Sequence, residues 1–243
     1  MTVIDIDKYR RKGYCPLPGL LDEKDLRRAV EFFDSLDAAD EVAAGYEAEY
    51  DSGQGVRRLR KLRRLLWNEP ELWGPIINRA GIGDLARNVI GEHAAVVFHA
   101  AFLKPARIGT EVALHQDQAL WANQYPAAFS VWVALTSVSP DNGGLFGCPG
   151  SHTGGQIRHQ HRPRYPWHVS LDVAEDGLNE PVQFVLEPGD GVMWDRYFAH
   201  GSATNTSVHD RRGMVVVFAD ASSPDLQAKN SFPLSELLTL GTA

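Results

Sequence analysis

The pattern of apolar positions changes character at Gly91. Upstream, it is helical. Leu26, Val30 and Phe33 recur at i, i+4 and i+7 behind Asp22, predicting a helix from Glu23 to Leu36 with Asp22 as its N-cap. Tyr9 to Gly13 reads as a short helix closed by a Gly break, followed by an extended segment and a turn before Leu21. Glu69 to Ile90 reads as helix in pieces. Within Arg57–Trp67, Leu59, Leu62, Leu65 and Leu66 also fall at helical intervals, predicting an amphipathic helix with basic residues between them. Those charges suit either a solvated face or a basic rim that recruits a carboxylate- or phosphate-bearing substrate. Residues 37–55 are acidic, contain Gly45, Gly53 and Gly55, and show no sustained apolar period, which predicts a mobile loop or lid.

Downstream of Gly91 the runs are short and rich in β-branched and aromatic residues. They are Ala94–Leu103, Phe129–Leu135, Val182–Leu186, Gly191–Trp194 and Gly213–Phe218, divided by Gly, Pro, Asn and Asp. Many short strands with such punctuation predict a mainly β fold with flanking helices, of which a double-stranded β-helix (a cupin-like jelly roll) is one solution. The expected organisation is one domain over residues 1–243, with lid segments at 37–55 and 154–179.

Composition narrows the class. A chain of 243 residues with 44% hydrophobic content can bury a substantial core. Its net charge of −7 argues against nucleic acid or an anionic membrane surface as partners. Cys15 and Cys148 are too few for a disulfide framework or a four-cysteine metal site, which fits a reducing compartment. The charged N-terminus lacks the apolar segment of a signal peptide, and no run approaches the ~20 apolar residues of a membrane span. The expectation is a cytoplasmic protein, monomer or homodimer, acting on a small molecule.

The chemistry concentrates in Leu114-His115-Gln116-Asp117 and a distant His200. On a strand, residues i and i+2 share a face about 6.6–7 Å apart, so His115 and Asp117 could bind one metal. An isolated His-x-Asp is common by chance. His200 supplies a third donor at the end of an apolar strand that follows the Gly189-Asp190-Gly191 turn, although a buried structural histidine competes for that position. Two imidazoles and one carboxylate make the facial triad of non-haem iron(II) oxygenases. Arg211 and Arg212 open an apolar strand, where a guanidinium is costly to desolvate unless an anion meets it, so one of them suits a dicarboxylic cosubstrate.

These residues combine with Val131-Trp132, Asn142-Gly143-Gly144-Leu145, Pro149-Gly150-Ser151-His152, Gly189-Asp190 and His200-Gly201-Ser202 followed by Arg211. In that order the chain resembles the phytanoyl-CoA dioxygenase family of iron(II)- and 2-oxoglutarate-dependent oxygenases. The resemblance implies iron ligation by His115, Asp117 and His200. It implies cosubstrate binding by Arg211 with help from Ser202, and a pocket lined by Trp132. It further implies dioxygen as oxidant and hydroxylation of an unactivated C–H bond in a small metabolite of specialised metabolism. A carboxylate at Asp117 argues against a halogenase.

Departures from the family pattern at Leu120 and Trp121 leave the substrate contacts open, with Trp121, Gln118 and Phe102 as candidates and Trp67 and Trp194 as further aromatic walls. Lys104 matches a frequent family lysine. His152 reads as structural, and His93, His99, His159, His161, His168 and His209 as peripheral. Two rivals remain: the same cofactors giving desaturation, epimerisation or cyclisation, and a non-catalytic cupin-like metal-binding protein.

Overall fold

A computed structural model describes residues 4–37, 42–53, 55–121, 125–162, 165–172, 177–222 and 231–240. Helix α1 (Ile6–Lys12) stops at Gly13, whose φ of 79° is left-handed and whose N–H donates to the Tyr9 carbonyl. After β1 (Tyr14–Leu17), helix α2 (Glu23–Asp37) begins where the Asp22 carboxylate accepts the Asp25 N–H at 2.8 Å, a cap of ~1 kcal/mol. Strands β2 (Glu47–Gly53) and β3 (Val56–Arg63) lead into α3 (Leu65–Asn68), α4 (Pro70–Arg79) and α5 (Ile82–Val89). The β-rich part comprises β4 (Ala94–Lys104), β5 (Val112–His115), β6 (Ala128–Ala134), β7 (Leu145–Gly147), β8 (His159–Arg162) and β9 (Tyr165–Leu171). It continues through β10 (Val182–Gln183), β11 (Gly191–Asp195), β12 (His200–Ser202), β13 (Arg211–Asp220) and β14 (Phe232–Pro233), and closes on α6 (Leu234–Leu237).

Every strand pairing is antiparallel. The large sheet runs β1-β11-β6-β13-β4-β3-β2, with β14 also on β4, and the small one runs β10-β7-β12-β5. This is the expected jelly roll. Alternation along the central strands divides the core in two. Val131, Val133, Met214 and Val216 face the helices, whereas Trp132, Ala134, Val215 and Val217 face the small sheet with Leu145 and Phe198. Among the described residues no helix is long and apolar enough to cross a membrane.

Two expectations are corrected. Arg57–Trp67 is mostly strand β3, with a helical turn only at Leu65–Asn68. Its leucines satisfy a helical period, but pairing with Ala100, Ala101 and Phe102 decides the conformation. Residues 37–55 contain strand β2 rather than only a loop. β2 lacks an apolar period because its partners on β3 are cations: Glu47 lies opposite Arg63 and Glu49 opposite Lys61. In the second expected lid, β8 and β9 form a two-stranded ribbon. Val182–Leu186 shortens to a two-residue strand, with Leu186 bridging Val138.

Candidate metal centre

Strand β5 ends at His115. Gln116 remains extended (φ −110°, ψ 136°), and Asp117 opens a 3-10 turn through Leu120. The two side chains thus stay on one side, although Asp117 lies just beyond the strand rather than within it. His200 starts β12 directly across from His115, and their ring centroids are 4.4 Å apart. The Nε2 atoms of His115 and His200 each lie 3.6 Å from Asp117 Oδ1. Donor atoms of all three residues fall within 4.8 Å of one another.

Each donor is held from behind. His115 Nδ1–H donates to the Ala113 carbonyl at 2.8 Å and His200 Nδ1–H to the Phe198 carbonyl at 2.9 Å, leaving both Nε2 lone pairs aimed inward. Asp117 Oδ2 accepts from the Ser130 hydroxyl at 2.6 Å and the Trp194 indole at 2.9 Å, so Oδ1 is directed at the imidazoles. Burial pushes the Asp117 carboxyl up, but His200, His115 and Ser130 together outweigh it and hold it below the usual carboxylate range. Burial pushes His200 down to about 4, against the pull of Asp117. An ionised carboxylate and neutral imidazoles are the forms that bind a divalent metal. The donor set fits iron(II) with the opposite face open.

The triad borders a cavity of about 470 Å³, within the ~300–1,000 Å³ range of small-molecule sites. Trp132, Ser202 and Arg211 line it, as do Phe102, Trp121 and Trp194. Arg211 is 1% exposed. Its guanidinium sits 5.3 Å over the Trp132 ring and donates to the Phe102 and Gly143 carbonyls, while its buried Nε has no partner among the described residues. Burial lowers Arg211 to about 9, a penalty that an anion would relieve. Gly213, two residues on, admits the Trp132 ring, since a Cβ there would meet it at 1.9 Å. Arg212 instead points outward and pairs with Asp34 at 2.6 Å. The Lys104 ammonium is tied to the Thr110, Ser202 and Ala203 carbonyls, so it braces the cavity wall.

Gln118 is not brought to the cavity wall. It is fully buried, in a turn whose Gln118 N–H donates to the Arg196 carbonyl. Trp67 also lies off the wall, packed against the helical core. His152 is structural, joined to the Arg10 carbonyl at 3.0 Å. Neither His99 nor His159, read as peripheral, lines the cavity, but both have a place in the packing. His99 is fully buried, and His159 Nε2 accepts the Gln116 N–H at 2.9 Å, which fastens β8 to the ligand-bearing segment. Of the other residues in the second expected lid, the side chains of 162–168 lie outside the described residues. Sequence reasoning missed Ser130 as a partner of Asp117 and read Trp194 only as a wall. These two residues face each other across β6 and β11, a long-range pairing with no local signature.

The phytanoyl-CoA dioxygenase family model matches residues 9–213. Phytanoyl-CoA dioxygenase domain-containing protein 1 of Danio rerio is 24% identical, with 98% of this chain and 99% of the relative covered. EvdO2 of Micromonospora carbonacea var. aurantiaca, solved with 2-oxoglutarate, superposes with a TM-score of 0.72 at 22% identity over 92% of this chain and 97% of that one. The epimerase SnoN, solved with Fe3+, alpha ketoglutarate and nogalamycin RO, superposes with a TM-score of 0.68 at 20% identity, covering 93% and 90%.

Proposed function

The chain belongs to the phytanoyl-CoA dioxygenase family of iron- and 2-oxoglutarate-dependent dioxygenases, and from that premise we propose that it hydroxylates an unactivated C–H bond of a small-molecule metabolite. His115, Asp117 and His200 would hold the iron. Arg211 would take the distal carboxylate of 2-oxoglutarate, with the Ser202 hydroxyl beside it and Trp132 as the pocket floor. When bound, iron and 2-oxoglutarate supply the oxidising power that places one oxygen atom of dioxygen on the substrate and the other in succinate.

The protein's own contribution is placement. Ser130 and Trp194 keep Asp117 Oδ2 occupied so that Oδ1 remains the donor. The backbone carbonyls of Ala113 and Phe198 fix the imidazole tautomers. Phe102 and Trp121 would form an apolar wall on the substrate side of the cavity. The observation that carries this reading is the convergence of three back-bonded metal donors and the unpartnered Nε of a buried arginine on one cavity.

An anaerobic titration with iron(II) and 2-oxoglutarate tests it, watched for the visible charge-transfer band, followed by a metabolite screen scored by succinate. A band and substrate-dependent succinate are expected. Iron binding without a band, whatever the metabolite, would reduce the protein to a metal-binding cupin. Product mass then distinguishes the outcome: hydroxylation adds one oxygen, desaturation removes two hydrogens, and epimerisation leaves the mass unchanged.

A further inference from the structure

Strand β3 turns charge inward. Leu62 enters the helix-side core, whereas Lys61 lies opposite Phe102, Arg63 lies opposite Ala100, and both cations border the cavity of the metal donors. Glu49 on β2 answers them. It accepts from Arg60 at 3.1 Å and from Arg63 at closer range. Arg60 also reaches Asp51 at 3.8 Å, and Arg63 reaches Glu47 at 3.2 Å.

Lys61 is treated differently. Among the described residues it makes no hydrogen bond, and its ammonium lies 4.0 Å from the already shared Glu49. Two rings lie against it, with Phe102 4.8 Å and Phe98 5.5 Å from Nζ, and Arg60, Arg63 and Asp117 are the other charges near it among the described residues. The side chain is only 17% exposed. An ammonium whose three donors meet no acceptor at hydrogen-bond distance among the described residues is costly to enclose unless a ligand brings one. Burial, aided by Arg63, lowers Lys61 to about 8, which leaves it mostly charged at neutral pH.

Resting on the oxygenase reading, we propose that Lys61 anchors a carboxylate of the primary substrate, which is therefore a small apolar or aromatic monocarboxylic acid. Phe98, Phe102 and Trp121 supply the apolar wall for its carbon skeleton. With the guanidiniums of Arg60 and Arg63 engaged by Glu49, Asp51 and Glu47, the single ammonium of Lys61 matches a single carboxylate. Lys61 and Arg211 stand on strands to either side of β4, so the two anions occupy separate sites.

The test uses phenylacetate, 3-phenylpropionate and 4-phenylbutyrate, each beside its amide. Binding to the anaerobic iron(II) and 2-oxoglutarate protein is measured by equilibrium dialysis and by perturbation of the charge-transfer band. At least one acid should bind tenfold more tightly than its amide. Lys61→Met should erase that preference and Lys61→Arg keep it, with 2-oxoglutarate affinity changed less than twofold in both. Equal binding of acids and amides throughout the series, or no acid binding, overturns the proposal in the wild-type protein alone. A Lys61→Met defect that falls on 2-oxoglutarate overturns it as well. If no charge-transfer band forms, the oxygenase reading has failed instead, and dialysis of acid against amide still decides the role of Lys61.

Discussion

Two buried histidine environments lie on opposite faces of the large sheet, and only one is built for chemistry. His200, between the sheets, has Nδ1 fixed by the Phe198 carbonyl and Nε2 aimed at Asp117. His99, on the helix side of β4, is fully buried and edge-on to Trp73, and among the described residues neither its ring nitrogens nor the Trp73 indole nitrogen has a hydrogen-bond partner. Burial drives both toward the neutral form, His99 to about 3 and His200 to about 4. Depth and a lowered pKa therefore do not distinguish ligand from core. What separates them is the acceptor behind the ring, which selects the tautomer and directs the lone pair.

Four predictions can break that contrast or sharpen it. His115→Ala or Asp117→Ala should abolish detectable iron binding and reduce turnover by ~10³-fold or more, measured by iron stoichiometry and succinate release; a variant retaining full iron would end the ligand assignment. For Arg211→Leu, iron should remain while 2-oxoglutarate affinity drops ~10²-fold, in line with a lost charge-assisted pair of ~3 kcal/mol. Unchanged 2-oxoglutarate affinity would move the anchor elsewhere. Trp194→Phe and Ser130→Ala should each weaken iron ~10- to 100-fold with the fold intact by circular dichroism, since each frees Asp117 Oδ2 to rotate.

The smallest effect belongs to His99→Phe, which should leave iron and 2-oxoglutarate binding untouched and alter only acid stability. The unfolded imidazole takes a proton near pH 6.5, whereas the folded one resists it until about 3. Stability from this group is thus complete above pH 6.5 and declines by roughly 1.4 kcal/mol per pH unit as the pH falls toward 3. Denaturant midpoints at pH 7 and pH 5 should show that decline in the wild-type protein and a flatter profile in the variant. A loss of iron in His99→Phe would blur the distinction between the two faces.

Legibility followed the range of each interaction. Helix α2 was readable because its cap and its apolar stripe lie within fifteen residues, and β6 and β13 because their apolar runs carry their own punctuation. β3 is not legible locally because Leu59, Leu62 and Leu65 satisfy a helical period, and its register with β4 is not encoded nearby. β2 carries no strand signal of its own because its inward residues are carboxylates, whose cationic partners sit on the next strand. Alternation puts Arg211 and Arg212 on opposite faces and the family resemblance points to Arg211, while the structure places Arg211 inside and Arg212 on Asp34.

The linear chain already carries the chemical inventory: two histidines and an aspartate suited to one metal, an arginine at the mouth of an apolar strand, and short apolar runs that predict a mainly β fold with flanking helices. Those follow from short-range rules, the alternation of a strand and the cost of burying charge. Tertiary structure alone decided which groups stand behind the donors, why His99 stays silent, and that Lys61 faces the cavity rather than water. Each of those depends on pairing between strands far apart in the chain, and a one-residue slip in register would reverse every one of them.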